Sequence, residues 1–335
     1  MNGLPKPAAE ESARRPPYLL FCLVGGTLVL VLACWLWFTR GQELATLRGH
    51  RGMVRSLALS PDGALLASGG EDHQIRVWDA ATYRLRLTLD GHTDTVNSVA
   101  FAPDNTLLAS ASADRTVRLW DSSTGREVAT LTPSTQVVNS VAFSPDGEVL
   151  ASAGADAKVY LWQVASRQPL RMLEGHRKSI RTVAFSPDGQ TLASGGEDGN
   201  IFLWNWKGSK SVAHWRVAGG RIYALAFTPD SRMLAAAMTG AGIQSWNVST
   251  RQERPRLAEG AGLAMSLAFS PDSRLLATGH EDGALKLWDI GDGKSLQRIP
   301  GRSGSLLGVA FSPDGRRVAT AGAEGTIKFW PLPGG

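Results

Sequence analysis

Seven of the eleven tryptophans fall on one spacing. Trp78, Trp120, Trp162, Trp204, Trp246, Trp288 and Trp330 each stand 42 residues after the last, without an insertion or deletion. A fixed period of that length means stacked copies of one supersecondary unit, not a single mixed domain. A second marker lies 18 residues ahead of each tryptophan: Ser60-Pro-Asp-Gly63, Ala102-Pro-Asp-Asn105, Ser144-Pro-Asp-Gly147, Ser186-Pro-Asp-Gly189, Thr228-Pro-Asp-Ser231, Ser270-Pro-Asp-Ser273 and Ser312-Pro-Asp-Gly315. Proline presets φ, and Asp, Asn and Gly tolerate turn geometry, so each marker predicts a tight turn.

The runs around the turns read as short strands. In the first unit these are Val54–Leu59, Ala64–Ser68, Ile75–Trp78 and Leu85–Leu89. They alternate with period two, and no window here carries a helical apolar stripe. A lone four-stranded sheet cannot bury both faces, but sheets stacked in a ring cover one another. The 37 glycines and 17 prolines suit a turn-rich all-β fold. With 43% hydrophobic and 19% charged residues, the chain is not intrinsically disordered.

The units resemble WD-repeat β-propeller blades, with Gly49-His50 near the start of the first and Trp78-Asp79 near its end. The resemblance covers residues 43–335 and implies an all-β, seven-bladed propeller. The domain opens on a run like the fourth strand of a blade (Leu44 to Leu47) and closes just after one like the third (Ile327 to Trp330). In the family this offset lets the first strand complete the last blade. The family also has a buried tetrad of His, Ser/Thr, Asp and Trp. Carried over by position, complete sets are His50, Ser68, Asp72 and Trp78; His92, Ser110, Asp114 and Trp120; and His176, Ser194, Asp198 and Trp204. The other blades depart. Ser134, Gly260 and Arg302 stand at the histidine position of blades three, six and seven. Blade five keeps only Trp246, with Ala218, Ala236 and Gly240 in the other places, and is expected to be the least rigid.

The resemblance implies an interaction platform that binds proteins or peptides on its top face, around the central channel. The family's reading positions fall on Met53, Arg55, Glu71, Thr95, Asn97, Val137, Asn139, Ser179, Arg181, Glu197, Arg221, Tyr223, Leu263, Met265, Glu281 and Leu307. Arg55–Glu71 and Arg181–Glu197 could instead pair with each other across neighbouring strands. If the face is used, replacing Arg55 and Arg221 by alanine weakens binding. The competing readings are a structural subunit of a membrane complex and a propeller enzyme with a carboxylate ring at the channel. Only Glu71, Glu197 and Glu281 approach such a ring.

Ahead of the repeats, residues 1–17 are polar, hold four prolines and read as a disordered tail. Tyr18 to Phe38 is an uncharged run of 21 residues flanked by Arg14, Arg15 and Arg40. As a helix it is roughly 31 Å long, enough to cross a hydrocarbon core. A single transmembrane helix over 18–38 and a linker over 39–42 are therefore expected. Val31-Leu32-Ala33-Cys34 loosely resembles a lipobox, though Leu32 fits poorly and the run is long for a cleaved signal. Flanking basic residues nearly cancel. A short N-terminal tail favours the cytoplasm, so the propeller is expected on the extracytoplasmic side.

Other chemistry finds little support. The formal net charge of +5 divides into +2 for residues 1–42 (four basic, two acidic) and +3 for the rest (31 basic, 28 acidic), without a Lys/Arg block. No nucleic-acid partner is expected from such scatter. The two cysteines, Cys22 and Cys34, exclude a disulfide framework and a Cys-rich zinc site. Gly301-Arg-Ser-Gly-Ser305 lacks the last glycine of a nucleophile elbow, and Gly293-Lys-Ser295 lacks the upstream glycine of a P-loop. No cofactor, metal or small-molecule substrate is expected. His73, His214 and His280 read as solvated or packed. Trp206 and Trp215, with Lys207 and Lys210, could form an outer patch; Trp215 falls in a core column, so only Trp206 looks additional. Asn247-Val-Ser249 is a glycosylation triplet of the kind that arises by chance.

Overall fold

The computed structural model describes residues 43–132, 136–208, 210–217, 220–240, 242–256, 262–301 and 304–332. The expected tail, span and linker, with Ser134, Ala218, Gly260, Arg302 and the Lys210 side chain, lie outside the described residues. Among the described residues no helix is long and apolar enough to cross a membrane.

Seven antiparallel sheets follow one another along the chain. We letter the strands of each blade a to d from the axis outward. In blade one these are Val54–Leu59, Leu65–Gly70, Ile75–Asp79 and Leu85–Leu89. The seven a strands contact one another in turn and close a ring, the first meeting the last. Closure is by the expected offset. Ala45–Arg48 pairs antiparallel with Thr326–Pro331 as strand d of blade seven, Ala45 opposite Phe329 and Arg48 opposite Thr326.

Small and large faces stack the blades. Opposite each other on strands a and b stand two alanines in every blade, from Ala58–Ala67 to Ala310–Ala319. The small face of blade one, Ala58, Ala67 and Val77, receives Val99, Phe101, Leu108 and Trp120 of blade two. The closing interface repeats the rule, with Ala319 and Ala321 against Leu66 and Trp78. Narrow residues near the axis and wide ones facing them fit wedge-shaped sheets to interior packing density. Hydrogen bonds stitch the same interfaces: Val99 N donates to Ser56 Oγ (3.1 Å), and Val183 N to Ser140 Oγ (3.1 Å).

The proline turns close as their sequence predicts. Ser60 Oγ donates to Asp62 Oδ1 (2.5 Å) and accepts from Leu65 N (2.8 Å). Burying a hydroxyl and closing a loop are thus solved by the same two side chains. The pattern recurs at Ser144, Ser186, Thr228, Ser270 and Ser312.

Blade five departs from the four-strand expectation. Among the described residues it has three strands, Ile222–Phe227, Met233–Met238 and Gly242–Asn247. Where strand d belongs, the described residues end at Arg256, and Arg254 N donates to Ser245 O (2.8 Å). The same segment makes the bridge Trp246–Glu253 and accepts a bond from Gln244 Nε2 at Arg254 O (2.6 Å).

Candidate functional site

The three complete tetrads form as expected. His50 Nδ1 bonds Asp72 (2.8 Å), His50 Nε2 bonds Ser68 Oγ (2.8 Å), and Trp78 Nε1 donates to the same Oγ (3.0 Å). A carboxylate only accepts, so Nδ1 carries the histidine proton, Nε2 accepts from the serine hydroxyl, and the serine accepts from tryptophan. His92, Ser110, Asp114 and Trp120 repeat this at 2.7, 2.7 and 2.9 Å. His176, Ser194, Asp198 and Trp204 do so at 3.1, 2.8 and 2.8 Å. Burial alone pushes the Asp72 carboxyl up. The bonds from His50 and from Arg51 N outweigh that and leave it below the ordinary carboxylate range. Burial holds His50 and His176 below the ordinary histidine value, with their aspartates opposing. Ser68, Ser110 and Ser194 have no exposed surface, so no His–Ser–Asp trio offers a nucleophile to a substrate.

In three of the incomplete blades another side chain bonds a remaining tetrad residue. In blade one this column is Gly70, whose added Cβ would lie 2.8 Å from His50 Nδ1. In blade six, strand b carries His280 at that very column, and its Nε2 bonds Thr278 Oγ1 (2.8 Å), which also accepts from Trp288 (2.9 Å). His280 is 1% exposed: of the two readings open for it, it is packed, not solvated. In blade three Tyr160 Oη donates to Asp156 (2.8 Å). In blade seven Lys328 pairs with Glu324 (2.7 Å). In blade five Trp246 Nε1 is buried with no hydrogen-bond partner among the described residues, because Ala236 stands where the others have Ser or Thr.

The tetrads fasten the loops of one face. In every blade the residue before the tetrad-acid position donates its N–H to a carbonyl at the start of strand a, from Glu71 N to Met53 O (2.9 Å) through Ala323 N to Ser305 O (3.0 Å). Two residues after each such carbonyl comes a β-bulge. The residues it displaces are Arg55, Asn97, Asn139, Arg181, Tyr223, Met265 and Leu307. Bulges re-aim side chains, here at the inner end of each blade.

The structure divides these residues into two arcs. In blades one to four they are committed within the protein. Arg55 pairs with Glu71 (2.5 Å) and Arg181 with Glu197 (2.6 Å), as the pairing alternative anticipated. Asn97 Nδ2 donates to Val138 O (3.0 Å), and Asn139 Nδ2 to Ile180 O (2.7 Å), both tying adjacent blades. In blades five to seven Tyr223, Leu263, Met265 and Leu307 are half-buried and apolar, and Met53 of blade one is exposed beside them in blade order. Glu281 and Arg221 are exposed on the same loops.

The proposed outer patch at Trp206 is corrected. Trp206 is 6% exposed, packs edge-on against Phe185 and donates to Gly189 O (3.2 Å). It belongs to the column of Ala80, Ser122, Ile290 and Leu332, all buried. Trp215 stacks on Trp246 at 5.3 Å. Asn247 Oδ1 accepts from Ser249 Oγ and Thr250 N, an ordinary turn.

A seven-sheet ring closed by its own first strand, with a buried tetrad holding one face, defines a β-propeller built of WD repeats. The chain belongs to the family described as the IFT122 first beta-propeller, whose model matches residues 73–330; the WD domain, G-beta repeat, matches residues 41–79. Local similarity reaches curated proteins of fungi. Ribosome biogenesis protein ERB1 of Coccidioides immitis is 62% identical over 37 residues, 11% of this chain and 4% of that protein. Eukaryotic translation initiation factor 3 subunit I of Aspergillus oryzae is 29% identical over 82 residues, 24% of this chain and 23% of that one. The chain thus spans less than a quarter of the length of these relatives.

Proposed function

We propose that this chain is a non-catalytic scaffold, tethered to a membrane through residues 18–38, that binds a protein or peptide on the tetrad face of its propeller. One observation carries the reading. Structural columns repeat from blade to blade, as the two alanines and the tryptophan do, whereas the bulge column changes from Arg to Asn to Tyr to Met to Leu. A position free of architectural duty in blades five to seven, and apolar there, suits an adaptable protein contact. Aromatic and methionine side chains are enriched at such surfaces. Met53, Tyr223, Leu263, Met265 and Leu307 are the anchors of this arc.

The tether follows from sequence. Strand d of blade seven runs toward the tetrad face, since Arg48 leads into the His50 loop. Its first residue, Ala45, therefore starts at the opposite face. An extracytoplasmic propeller is the expected orientation. A photocrosslinking residue at Met265 should trap a partner in native membranes, and the same residue at exposed Leu296 on the outer strand of blade six should not. Adducts at Leu296 alone would contradict the assignment. Alkaline extraction should leave the full chain in the membrane pellet and release a chain lacking residues 18–38; release of both would remove the tether.

A further inference from the structure

Over blade four, on the tetrad face, lies a cavity of about 650 Å³. Arg177 and Lys178 line it from the loop entering the blade, Arg216 from the end of strand d, and Arg221 from the loop leaving toward blade five. Its two carboxylates are already committed. Glu197 accepts twice from Arg181 (2.6 and 3.0 Å), and Asp198 is bonded by His176, Arg177 N and Asn200 N. Among the described residues none of the four lining cations forms an ion pair or a side-chain hydrogen bond.

The sequence explains why the cavity occurs here. In blades one and two the third strand carries Arg76 and Arg118, whose guanidinium groups reach Asp72 (3.6 Å) and Glu127 (2.6 Å). In blade four that column is Phe202, a flat ring stacked on Trp204 (5.1 Å) and His214 (4.6 Å). The ring makes a floor and leaves the volume above it open. Along strand d, Arg216 replaces Asp90 of blade one and Glu174 of blade three, and Lys178 replaces Gly52 and Asp94. Each exchange removes an acid or adds a base at one rim. The walls are fixed by backbone: Glu197 N donates to Ser179 O (2.9 Å), and Val217 N to Gly199 O (2.8 Å). Like charges held around one partly enclosed volume repel one another and concentrate a field that draws anions. The volume lies within the range of ligand pockets, and guanidinium forks match carboxylate and phosphate oxygens.

We propose that this cavity receives the anionic side chains, carboxylate or phosphate, of a protein segment lying across the tetrad face. The proposal rests on the scaffold reading and names the chemistry of its partner: an acidic or phosphorylated stretch for the basic cavity, next to apolar residues for the arc that begins at Tyr223.

The test uses the full chain in detergent and three fluorescein-labelled peptides of one length: a Glu–Ser repeat, its phosphoserine form and a Gln–Ser repeat. Fluorescence anisotropy should show binding of the acidic or the phosphorylated peptide, weakening with added salt, and no binding of the glutamine peptide. Arg177→Ala with Arg216→Ala should weaken that binding by at least about tenfold, given the strength of charged hydrogen bonds, with the melting temperature unchanged. Leu296→Ala on the outer strand of blade six should leave it intact, and the peptides carry no apolar residue, so failure of the apolar arc and failure of the cavity read out separately. Equal binding of the glutamine peptide, or unchanged affinity in the arginine variant, would overturn the proposal. So would oligouridylate or phosphatidylserine vesicles binding through Arg177 and Arg216 where neither anionic peptide does.

Discussion

Blade five contains a vacancy that one atom can fill. Trp246 Nε1 is buried without a partner among the described residues, while the same nitrogen in the six other blades donates to a Ser or Thr hydroxyl at 2.8 to 3.0 Å. The residue at that column is Ala236, and its register is that of Ser68: Leu225–Ala236–Gln244 matches Leu57–Ser68–Arg76. Ala236→Ser therefore places an Oγ where the other blades hold theirs. An unsatisfied buried N–H costs about 1–3 kcal/mol, and a completed hydrogen bond returns about 1 kcal/mol net. The new hydroxyl has its own outlet, since Ser68 Oγ also reaches Arg76 O at 3.4 Å and Gln244 O occupies the equivalent place. The expected gain is about 1 kcal/mol, or roughly 2 °C in melting temperature for a domain of this size. Differential scanning calorimetry reads the whole domain. Hydrogen exchange of Gly242–Asn247 reads the blade, which should be the least protected in the wild type and gain protection in the variant. The mirror change, Ser68→Ala, strands both Trp78 Nε1 and His50 Nε2 and should cost about 3 kcal/mol. A neutral or destabilising Ala236→Ser together with a neutral Ser68→Ala would refute the claim that the tetrad bonds stabilise the blades.

Further consequences follow from the same geometry. Burial, with Lys286 adding to it, lowers His280 to about 4, so the folded protein holds this imidazole neutral while the unfolded chain protonates near the ordinary 6.5. Its contribution is full above pH 6.5, falls as the pH drops toward 4 and is gone below. The loss reaches up to about 3 kcal/mol, and urea denaturation across that window should show a shallower decline for His280→Gln than for the wild type. Gly70→Ala should destabilise by about 1–3 kcal/mol, because the added Cβ meets His50 Nδ1 at 2.8 Å and Met53 O at 3.0 Å; chemical denaturation measures it.

The propeller was legible because its period is rigid. One column of tryptophans and one of proline turns fix the repeat, and the repeat fixes what each strand must pack against. The complete tetrads followed residue by residue. What stayed hidden involves exchange between columns. In blade six the imidazole comes from His280, in the column that is Gly70 in blade one, and a reading that looks for histidine at one position misses the other. Tyr160 likewise reaches its acid from a column that is arginine in blade one. Trp206 looked surplus by type, although its column, Ala80 and Ile290 among it, already marked a buried site. The basic cavity over blade four was invisible to a search for charge runs, because Arg177, Lys178, Arg216 and Arg221 are dispersed along the chain and meet only when two loops and a strand end converge.

The central claim is that a partner engages the apolar arc of the tetrad face. Affinity capture from detergent-solubilised membranes, comparing the wild type with Tyr223→Ala plus Met265→Ala, tests it directly. Both side chains are half-buried at bulges, so equal melting temperatures must first show that the fold is intact. The account predicts a protein enriched on the wild type and lost on the variant. A partner retained equally by both would contradict it and move binding to the outer strands, the opposite face or residues 18–38.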